Sequence, residues 1–324
     1  MTSSWPSTAR AALELAVCAP SVHNTQPWRF EIHPDHIDVF ADRRRHLPHT
    51  DPDGRDLLIS CGIALHHLRV ALGAFGYLAV TEHLPDSSRP DHLARVEPVP
   101  RPAQRSDLAL AVCIPRRRSD RRPYLDRPLT DEHIADLVRA AVGQCAALQA
   151  VTDPAARAAL TAAVADADTE QRGNLAYRYE LAHWRRPAGD VDGVVATAEP
   201  AVATVGDLRL RTFTPVGHST VNNNGGAGTL LVLGTAGDDS LSRLCAGEAA
   251  SAVLLAATRA RLASCPISQP LELTDTRKRV RDDVLGHVMY PQLVLRVGWP
   301  AVEEGLAPTG RRPLDEVLSE HWDD

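Results

Sequence analysis

The sequence predicts an α+β protein in which helices and strands are mixed along the chain. Residues 54–76 carry apolar side chains at helical spacing and have glycine near the end, which predicts a long and heavily buried helix. Residues 28–39 alternate apolar and polar side chains on both sides of Pro34 and Asp35, which predicts a β-hairpin. Residues 229–234 form a short apolar run that is typical of a buried strand.

The remaining segments continue this mixture. A helix is predicted from Ser4 to Ala19, because Pro6 lies near its start, alanine and leucine recur at helical spacing and Pro20 ends it. The other predicted helices cover residues 130–147, 154–184 and 240–262. The other predicted strands cover residues 77–81, 93–99, 108–114 and 292–297. Residues 185–221 have no clear period, which predicts an irregular excursion or lid, and residues 222–228 are predicted to turn.

Composition and charge exclude several classes of protein. The chain has 324 residues, of which 44% are hydrophobic and 23% are charged, as in ordinary globular proteins with a sizeable core. Its 35 basic and 41 acidic residues give a net charge of −6, which argues against a surface built throughout to bind nucleic acid. Six scattered cysteines lack a C-x-x-C pattern, and no signal-peptide pattern or stretch long enough to cross a bilayer is visible. We therefore expect a soluble, cytoplasmic protein.

A basic run follows the strand predicted at residues 108–114. Residues 116–122 contain five arginines around Ser119. Guanidinium groups and a hydroxyl in one loop can bind a phosphate, which arginine holds with paired hydrogen bonds. The alternatives are a solvated loop and a patch that faces nucleic acid, since charge runs are usually solvated. The bare run favours the solvated loop, whereas the order R-S-x-R between a strand and a helix favours the phosphate site.

Other patterns that could carry chemistry are weak. The histidine pairs are His33 with His36, His46 with His49, and His66 with His67. None is joined by a cysteine or carboxylate at a recognised ligand spacing, so we expect no metal site. The glycine-rich run 222–228 precedes a strand, whereas a phosphate-binding loop follows a strand and opens a helix. The chain has no G-x-S-x-G motif, and we predict no catalytic side chain.

The most specific segment is residues 19–30, with the sequence A-P-S-V-H-N-T-Q-P-W-R-F. It follows the first predicted helix and runs into the hairpin. Ser21, Asn24 and Gln26 place a hydroxyl and two amides in a loop, where they can bind the polar edges of a flat heterocycle. The alternative is a helix stop and a turn, followed by Trp28 in the core. The residues alone leave these two interpretations about even.

Residues 19–30 resemble the A-P-S-x-x-N-x-Q-P-W loop of the FMN-dependent nitroreductase family. Residues 117–121, R-R-S-D-R, resemble the phosphate motif R-R-S-x-R of that family. Residues 263–267, A-S-C-P-I, resemble its loop at the flavin ring, and residues 311–317, R-R-P-L-D-E-V, resemble its C-terminal arginine segment on the phosphate side. Together with D-P-D-G-R at residues 51–55 and the chain length, these motifs are most similar to the Acg branch. The resemblance covers most of the chain.

The resemblance implies an FMN site built from these segments. Residues 118–121, assisted by one of the arginines at 311 and 312, would hold the phosphate. Residues 20–26 would line the opposite part of the flavin, and residues 264–267 would lie near its ring. The implied cofactor-binding residues are Pro20, Ser21, Asn24, Gln26, Arg118, Ser119, Arg121, Ser264, Pro266, Ile267, Arg311 and Arg312.

The order of the motifs differs from that of ordinary family members, which carry R-R-S-x-R before A-P-S-x-x-N and pair as dimers. Here the A-P-S-x-x-N loop lies in the first half and R-R-S-D-R in the second. The resemblance therefore implies a nitroreductase-like fold of two fused halves, residues 1–115 and 116–324, with a lid at residues 185–221. Each half would have a mainly antiparallel sheet flanked by helices, and the halves would form a pseudo-dimer around one FMN.

The implied function is the transfer of electrons from NAD(P)H through FMN to a nitro compound, a quinone or a similar acceptor. The Acg branch implies an alternative, flavin sequestration or storage, in which the lid closes the FMN site and turnover is small or absent. The expected partners are NAD(P)H and a small-molecule substrate, without nucleic acid or membrane. Fusion of the halves removes the need for a homodimer without forbidding one.

Overall fold

The computed structural model describes residues 5–187, 189–195, 204–209, 211, 226, 228–302 and 305–322. Within them the helices are α1 (Trp5–Ala16), α2 (Arg55–Ala74), α3 (Arg105–Ala111), α4 (Asp131–Val142), α5 (Pro154–Gly173), α6 (Leu175–His183), α7 (Ser240–Arg259) and α8 (Thr274–Arg279). The strands are β1 (Trp28–Ile32), β2 (Ile37–Ala41), β3 (Tyr77–His83), β4 (His92–Pro100), β5 (Ala147–Ala150), β6 (Arg185–Arg186), β7 (Val194–Val195), β8 (Thr204–Val205), β9 (Leu208–Arg209), β10 (Thr229–Thr235), β11 (Ala263–Ile267), β12 (Tyr290–Gly298) and β13 (Leu318–Glu320).

The first sheet is built around the predicted hairpin. β1 and β2 pair in antiparallel fashion, with Trp28 opposite Ala41, so the hairpin is confirmed. The strand order is β13-β1-β2-β4-β3. β13 comes from the C-terminal end of the chain and pairs in parallel with β1, with Phe30 opposite Leu318. The end of the chain therefore completes a sheet whose other strands come from its first 100 residues.

The second sheet has the order β11-β12-β10-β5 and is antiparallel throughout. β10 and β12 are buried along almost their whole length, which explains why β10 appears in the sequence as a continuous apolar run. Residues 263–267, which the resemblance implied to be a loop, form β11 and pair with β12. The predicted α+β class, with mainly antiparallel sheets flanked by helices, is confirmed.

The two 20-residue helices α2 and α7 pack against each other between the sheets. The contact is closest at Gly62 and Gly247. A Cβ atom at Gly62 would lie 2.2 Å from the carbonyl oxygen of Leu244, and one at Gly247 would lie 2.2 Å from that of Ile59. Only glycine allows the two backbones to approach this closely. The main hydrophobic core surrounds this crossing and includes side chains from α1, α4 and both sheets.

The length and composition of α2 and α7 correct one expectation. Both helices are long and apolar enough to cross a bilayer, although the sequence was expected to contain no such stretch. Most of the apolar window of each helix is buried inside the protein, 83% in α2 and 72% in α7. A core helix buried on all sides is hydrophobic around its whole circumference, which explains the composition of both.

Two local predictions were wrong. Residues 108–114 were predicted as a strand, but residues 105–111 form α3, because the Asp107 carboxylate accepts a hydrogen bond from the backbone N–H of Gln104 at 3.1 Å and so starts a helix. Residues 154–184 were predicted as one helix, but Asn174 is extended, with φ −85° and ψ 113°, and separates α5 from α6. Its side chain accepts a hydrogen bond from the backbone N–H of Tyr177 and caps α6.

Candidate functional site

Two adjoining pockets lie where the N-terminal loop, the basic run and the second sheet meet. We name the first the helix pocket, because Asp56, Ile59, Ser60 and Ile63 of α2 form one wall. Its empty volume is about 850 Å³, including the part that is open to solvent. The second, the arginine pocket, is lined by Arg117, Arg118, Arg121, Arg122 and Arg311, with residues 193–195 and 305–309. The residues that line both pockets are Pro20, Ser21, His23, Ser119 and Arg121. A single elongated ligand can therefore reach from one pocket into the other.

The arginine pocket holds positive charge that the described residues do not neutralise. Among these residues, no carboxylate lies within 4.0 Å of the guanidinium groups of Arg117, Arg118 or Arg311. Arg117 is 4% exposed, and its buried Nε has no hydrogen-bond partner within the described part of the chain. Burial, reinforced by Arg311 and Arg118, lowers the pKa of Arg117 to about 9. Burial also lowers the pKa of Arg311 to about 10. Buried cations are normally paired, so this arrangement fits an anionic ligand such as a phosphate.

Hydrogen bonds to main-chain oxygens and to the Asn24 side chain hold Arg118 and Arg311 in place. Arg118 donates to the carbonyl oxygens of Leu306 and Pro115, at 3.1 and 2.7 Å. Arg311 donates to the Asn24 side-chain oxygen at 3.2 Å and to the Cys18 carbonyl at 3.1 Å. The pocket is thus assembled from the N-terminal loop, the basic run and the C-terminal segment.

The N-terminal loop has an unusual backbone. His23, Asn24 and Gln26 all have positive φ, at 46°, 55° and 51°, a region that residues other than glycine seldom occupy. Two hydroxyls fix this conformation. The Ser21 hydroxyl accepts a hydrogen bond from the backbone N–H of Gln26 at 2.9 Å, and the Ser60 hydroxyl accepts one from that of Val22 at 3.1 Å. Strained backbone held by its surroundings is typical of ligand-binding loops.

The helix pocket combines an apolar wall with buried charges. Its apolar lining includes Pro266 and Ile267 of β11 and Ile59 and Ile63 of α2. Arg211, from the segment predicted as a lid, forms an ion pair with Glu272 at 2.5 Å and lies 2.7 Å from Nε2 of His23. Although burial opposes the effect, the Glu272 carboxylate raises the pKa of Arg211. Burial, together with Arg211 and Arg121, lowers the pKa of His23, which is therefore neutral at pH 7.

The structure brings nine of the twelve predicted residues to the pockets. These residues are Pro20, Ser21, Asn24, Arg118, Ser119, Arg121, Pro266, Ile267 and Arg311. Gln26, Ser264 and Arg312 line neither pocket. The Gln26 amide is fully buried and donates to the Val191 carbonyl at 2.8 Å, while its oxygen accepts from the backbone N–H of Arg312 at 2.8 Å. The Arg312 side chain pairs with Glu316 at 3.3 Å, and Ser264 is buried in β11. These three residues support the site without facing it.

The pockets also contain residues that the sequence did not single out, namely His23, Ser60, Arg117, Arg211 and Gln269. Arg117 was within reach of the sequence argument, because it is the first arginine of the R-R-S-D-R motif. Ser60, Arg211 and Gln269 come from segments far apart in the sequence that only the fold brings together. No local pattern identifies them.

Residues 184–187 and 189–195 pack against the rim of the arginine pocket. Gly193 donates its backbone N–H to the Asn24 carbonyl at 3.3 Å, and Arg45 forms an ion pair with Asp192. Arg45 also lies over the Trp184 ring, with its guanidinium carbon 5.1 Å from the ring centroid. Of the segment predicted as a lid, the structure describes residues 185–187, 189–195, 204–209 and 211, and the rest lies outside the described residues.

Comparison with known proteins adds relatives of similar length. The chain is 43% identical over 317 residues to "Putative NAD(P)H nitroreductase Rv3131" of Mycobacterium tuberculosis, covering 96% of this chain and 91% of the relative. It is 34% identical over 318 residues to "Putative NAD(P)H nitroreductase acg" of the same organism, covering 95% and 94%. The solved structure of the NfrA1 nitroreductase from B. subtilis matches 64% of this chain and 72% of that one, with a TM-score of 0.40 and 18% identity. No family model matches the chain.

These two relatives settle the family, because both are more than 30% identical to the chain over almost its whole length. The chain belongs to the NAD(P)H nitroreductase family. Within that family it belongs with the group of M. tuberculosis proteins that includes Acg. The resemblance drawn from the sequence motifs is therefore confirmed.

Proposed function

We propose that this protein binds FMN and transfers electrons from NAD(P)H through it to a nitro compound, a quinone or a similar acceptor. One observation carries the proposal: a pocket lined by five arginines, of which Arg117 is buried, adjoins a pocket with an apolar wall, and the two share five lining residues. FMN has a phosphate at one end and a flat ring system at the other. The names of the two relatives, both nitroreductases, support the same activity.

The arginine pocket would hold the phosphate. Arg117, Arg118 and Arg311 supply guanidinium donors, and Ser119 supplies a hydroxyl on the same wall. A bound phosphate would provide the countercharge that Arg117 lacks among the described residues. Arg121 lines both pockets and would lie along the middle of the ligand.

The helix pocket would hold the ring. When bound, FMN supplies the two-electron chemistry, since it can take up a hydride and pass the electrons on. Pro20, Pro266 and Ile267 present apolar surface, while Ser21 and Ser60 present hydroxyls fixed by hydrogen bonds to the N-terminal loop. The role of these side chains is to orient the ring and exclude water, and we assign no catalytic side chain.

The two-half organisation belongs to the same proposal. Residues 1–115 would form one nitroreductase-like half and residues 116–324 the other, with a single FMN between them. The crossing of α2 and α7 at paired glycines supports a related packing role for the two helices. Residues 185–221 would act as a lid, since Gly193 lines the arginine pocket and Arg211 lines the helix pocket.

The flavin-storage alternative is not supported by the comparisons, because both relatives quoted above are named as nitroreductases. A cytoplasmic location fits the activity and remains part of the proposal. NAD(P)H and a small acceptor are the proposed partners.

Anaerobic reduction tests the proposed function. The purified, FMN-loaded protein is expected to be yellow and to bleach when NADPH or NADH is added without oxygen, because both the ring and the nicotinamide must reach the helix pocket. The absorbance of the flavin band is the measurement. A nitro compound or quinone added afterwards should restore the yellow colour. A spectrum that persists with both NADPH and NADH would contradict the proposal.

A further inference from the structure

A second cluster of reactive side chains lies at the opposite end of β1 from the N-terminal loop. The side chains are Glu31, His33, His36, Asp38 and His321, which we call the histidine cluster. The first four come from the β1–β2 hairpin, and His321 follows β13. The sequence predicted no metal site here, because His33 and His36 have no partner at a recognised spacing. The fold adds the carboxylates and the third histidine.

Two ring nitrogens in this cluster, Nε2 of His33 and Nε2 of His36, are close to a carboxylate oxygen of Asp38 without being hydrogen-bonded to it. Nε2 of His36 lies 3.4 Å from Oδ2 of Asp38, and Nε2 of His33 lies 3.7 Å from the same oxygen. Both nitrogens are buried, and neither has a hydrogen-bond partner among the residues that the structure describes. Asp38 itself is 4% exposed. Burial of a polar nitrogen without a hydrogen-bond partner costs free energy, and a ligand bound at these two atoms would offset that cost.

The spacing suits a divalent transition metal. With metal-to-nitrogen distances of about 2.0–2.1 Å in tetrahedral geometry, neighbouring ligand atoms are roughly 3.4 Å apart. The His33 and His36 rings are stacked, with centroids 4.3 Å apart and planes 9° apart. Binding therefore requires one ring to turn about its Cβ–Cγ bond until both nitrogens point to one centre.

Neighbouring groups orient the side chains of His36 and Asp38. Nδ1 of His36 lies 2.6 Å from the Asp35 carboxylate. When Nδ1 carries the proton and donates a hydrogen bond to this carboxylate, Nε2 has a free electron pair with which to bind a metal ion. The other oxygen of Asp38 lies 2.9 Å from Nε2 of His92 and 3.1 Å from Nε of Arg95, which fixes the carboxylate.

We propose that His33, His36 and Asp38 bind one divalent first-row metal ion of the zinc type. Two imidazoles and a carboxylate, without a thiolate, are a donor set that Zn²⁺ accepts. Asp35 is a positioning residue that orients His36. Glu31 and His321 also have atoms within 4.8 Å of His33, but they are not ligands in this assignment.

Calorimetric titration of the tag-free, full-length protein with Zn²⁺, after treatment with a chelator, tests the proposal. We expect one Zn²⁺ per chain. His33→Gln and His36→Gln should each weaken binding at least tenfold, and Asp35→Asn, at an exposed position, should weaken it about 10- to 100-fold without removing a ligand. His321→Gln should bind like the parent protein.

The matched control is His287→Gln, because His287 is an exposed histidine 2.9 Å from a carboxylate of Asp282 outside the cluster. It should leave Zn²⁺ binding unchanged. Zn²⁺ should also raise the melting temperature of the parent protein and not that of His36→Gln, since a ligand that binds only the folded state stabilises it. Absence of Zn²⁺ binding, or His36→Gln binding as tightly as the parent, would overturn the proposal. Loss of binding in His321→Gln alone would overturn the ligand assignment.

Discussion

Arg117→Gln is expected to lower the affinity for FMN by roughly 10- to 150-fold, the equivalent of about 1.5–3 kcal/mol for one charge-assisted contact. The same substitution should leave the FMN-free protein as stable as the parent or more stable. Arg117 is buried, and burial together with Arg311 and Arg118 lowers its pKa to about 9. A base whose pKa is lowered by folding destabilises the folded state at every pH below that pKa, and the destabilisation fades as the pH rises through it. At pH 7 the neutral glutamine side chain therefore removes this destabilisation.

Titration of FMN fluorescence gives the affinity, and urea unfolding of the FMN-free protein gives the stability. Arg312→Gln is the matched control, because Arg312 belongs to the same C-terminal segment as Arg311 but pairs with Glu316 and lines neither pocket. Its FMN affinity should stay within about twofold of the parent. The assignment of the phosphate site fails if Arg117→Gln retains full affinity or if Arg312→Gln loses as much.

Gly62→Ala is expected to destabilise the protein by about 3 kcal/mol or more, because overpacking a core contact that cannot relax is among the most damaging single changes. The added methyl group would lie 2.2 Å from the Leu244 carbonyl and 2.9 Å from the Cα atom of Gly247. Both neighbours are backbone atoms in the middle of α7, so neither can move without separating the helices. The free energy of unfolding in urea is the measurement.

Gly173→Ala provides the comparison, since no atom of the described residues lies within 4 Å of a Cβ atom at Gly173, the last residue of α5. Alanine there should be neutral or stabilise the helix by up to about 1 kcal/mol. A Gly62→Ala protein as stable as Gly173→Ala would show that α2 and α7 do not cross as closely as described.

The elements that sequence analysis predicted well are those with a long or clear local pattern. Helix α2 and the β1–β2 hairpin are examples, because a long apolar segment that ends near a glycine indicates a buried helix, and two strand-like runs around a turn indicate a hairpin. Residues 108–114 were predicted wrongly, because a short apolar run does not distinguish a strand from a helix. The start of α3 depends on the hydrogen bond that the Asp107 carboxylate accepts from the backbone of Gln104, and the sequence alone does not show this bond.

The candidate site also contains residues that a local sequence pattern predicts and residues that only the fold identifies. Most of the side chains that were predicted from motifs of consecutive residues line the pockets. The motif could not separate Arg311 from Arg312, because the two are adjacent and only the fold decides which faces the cavity. Gln26 was expected to bind the cofactor, but the positive φ of the loop turns its amide towards Val191 and the backbone of Arg312. Arg211 and Gln269 come from distant segments, and no local pattern marks them.

The amount of FMN released per chain tests the central claim most directly, namely one flavin site made from both halves of the chain. The protein is saturated with FMN, freed of excess by gel filtration and denatured, and the absorbance of the released flavin is compared with the protein concentration. The account predicts one FMN per chain. Two FMN per chain, or none after reconstitution, would contradict it.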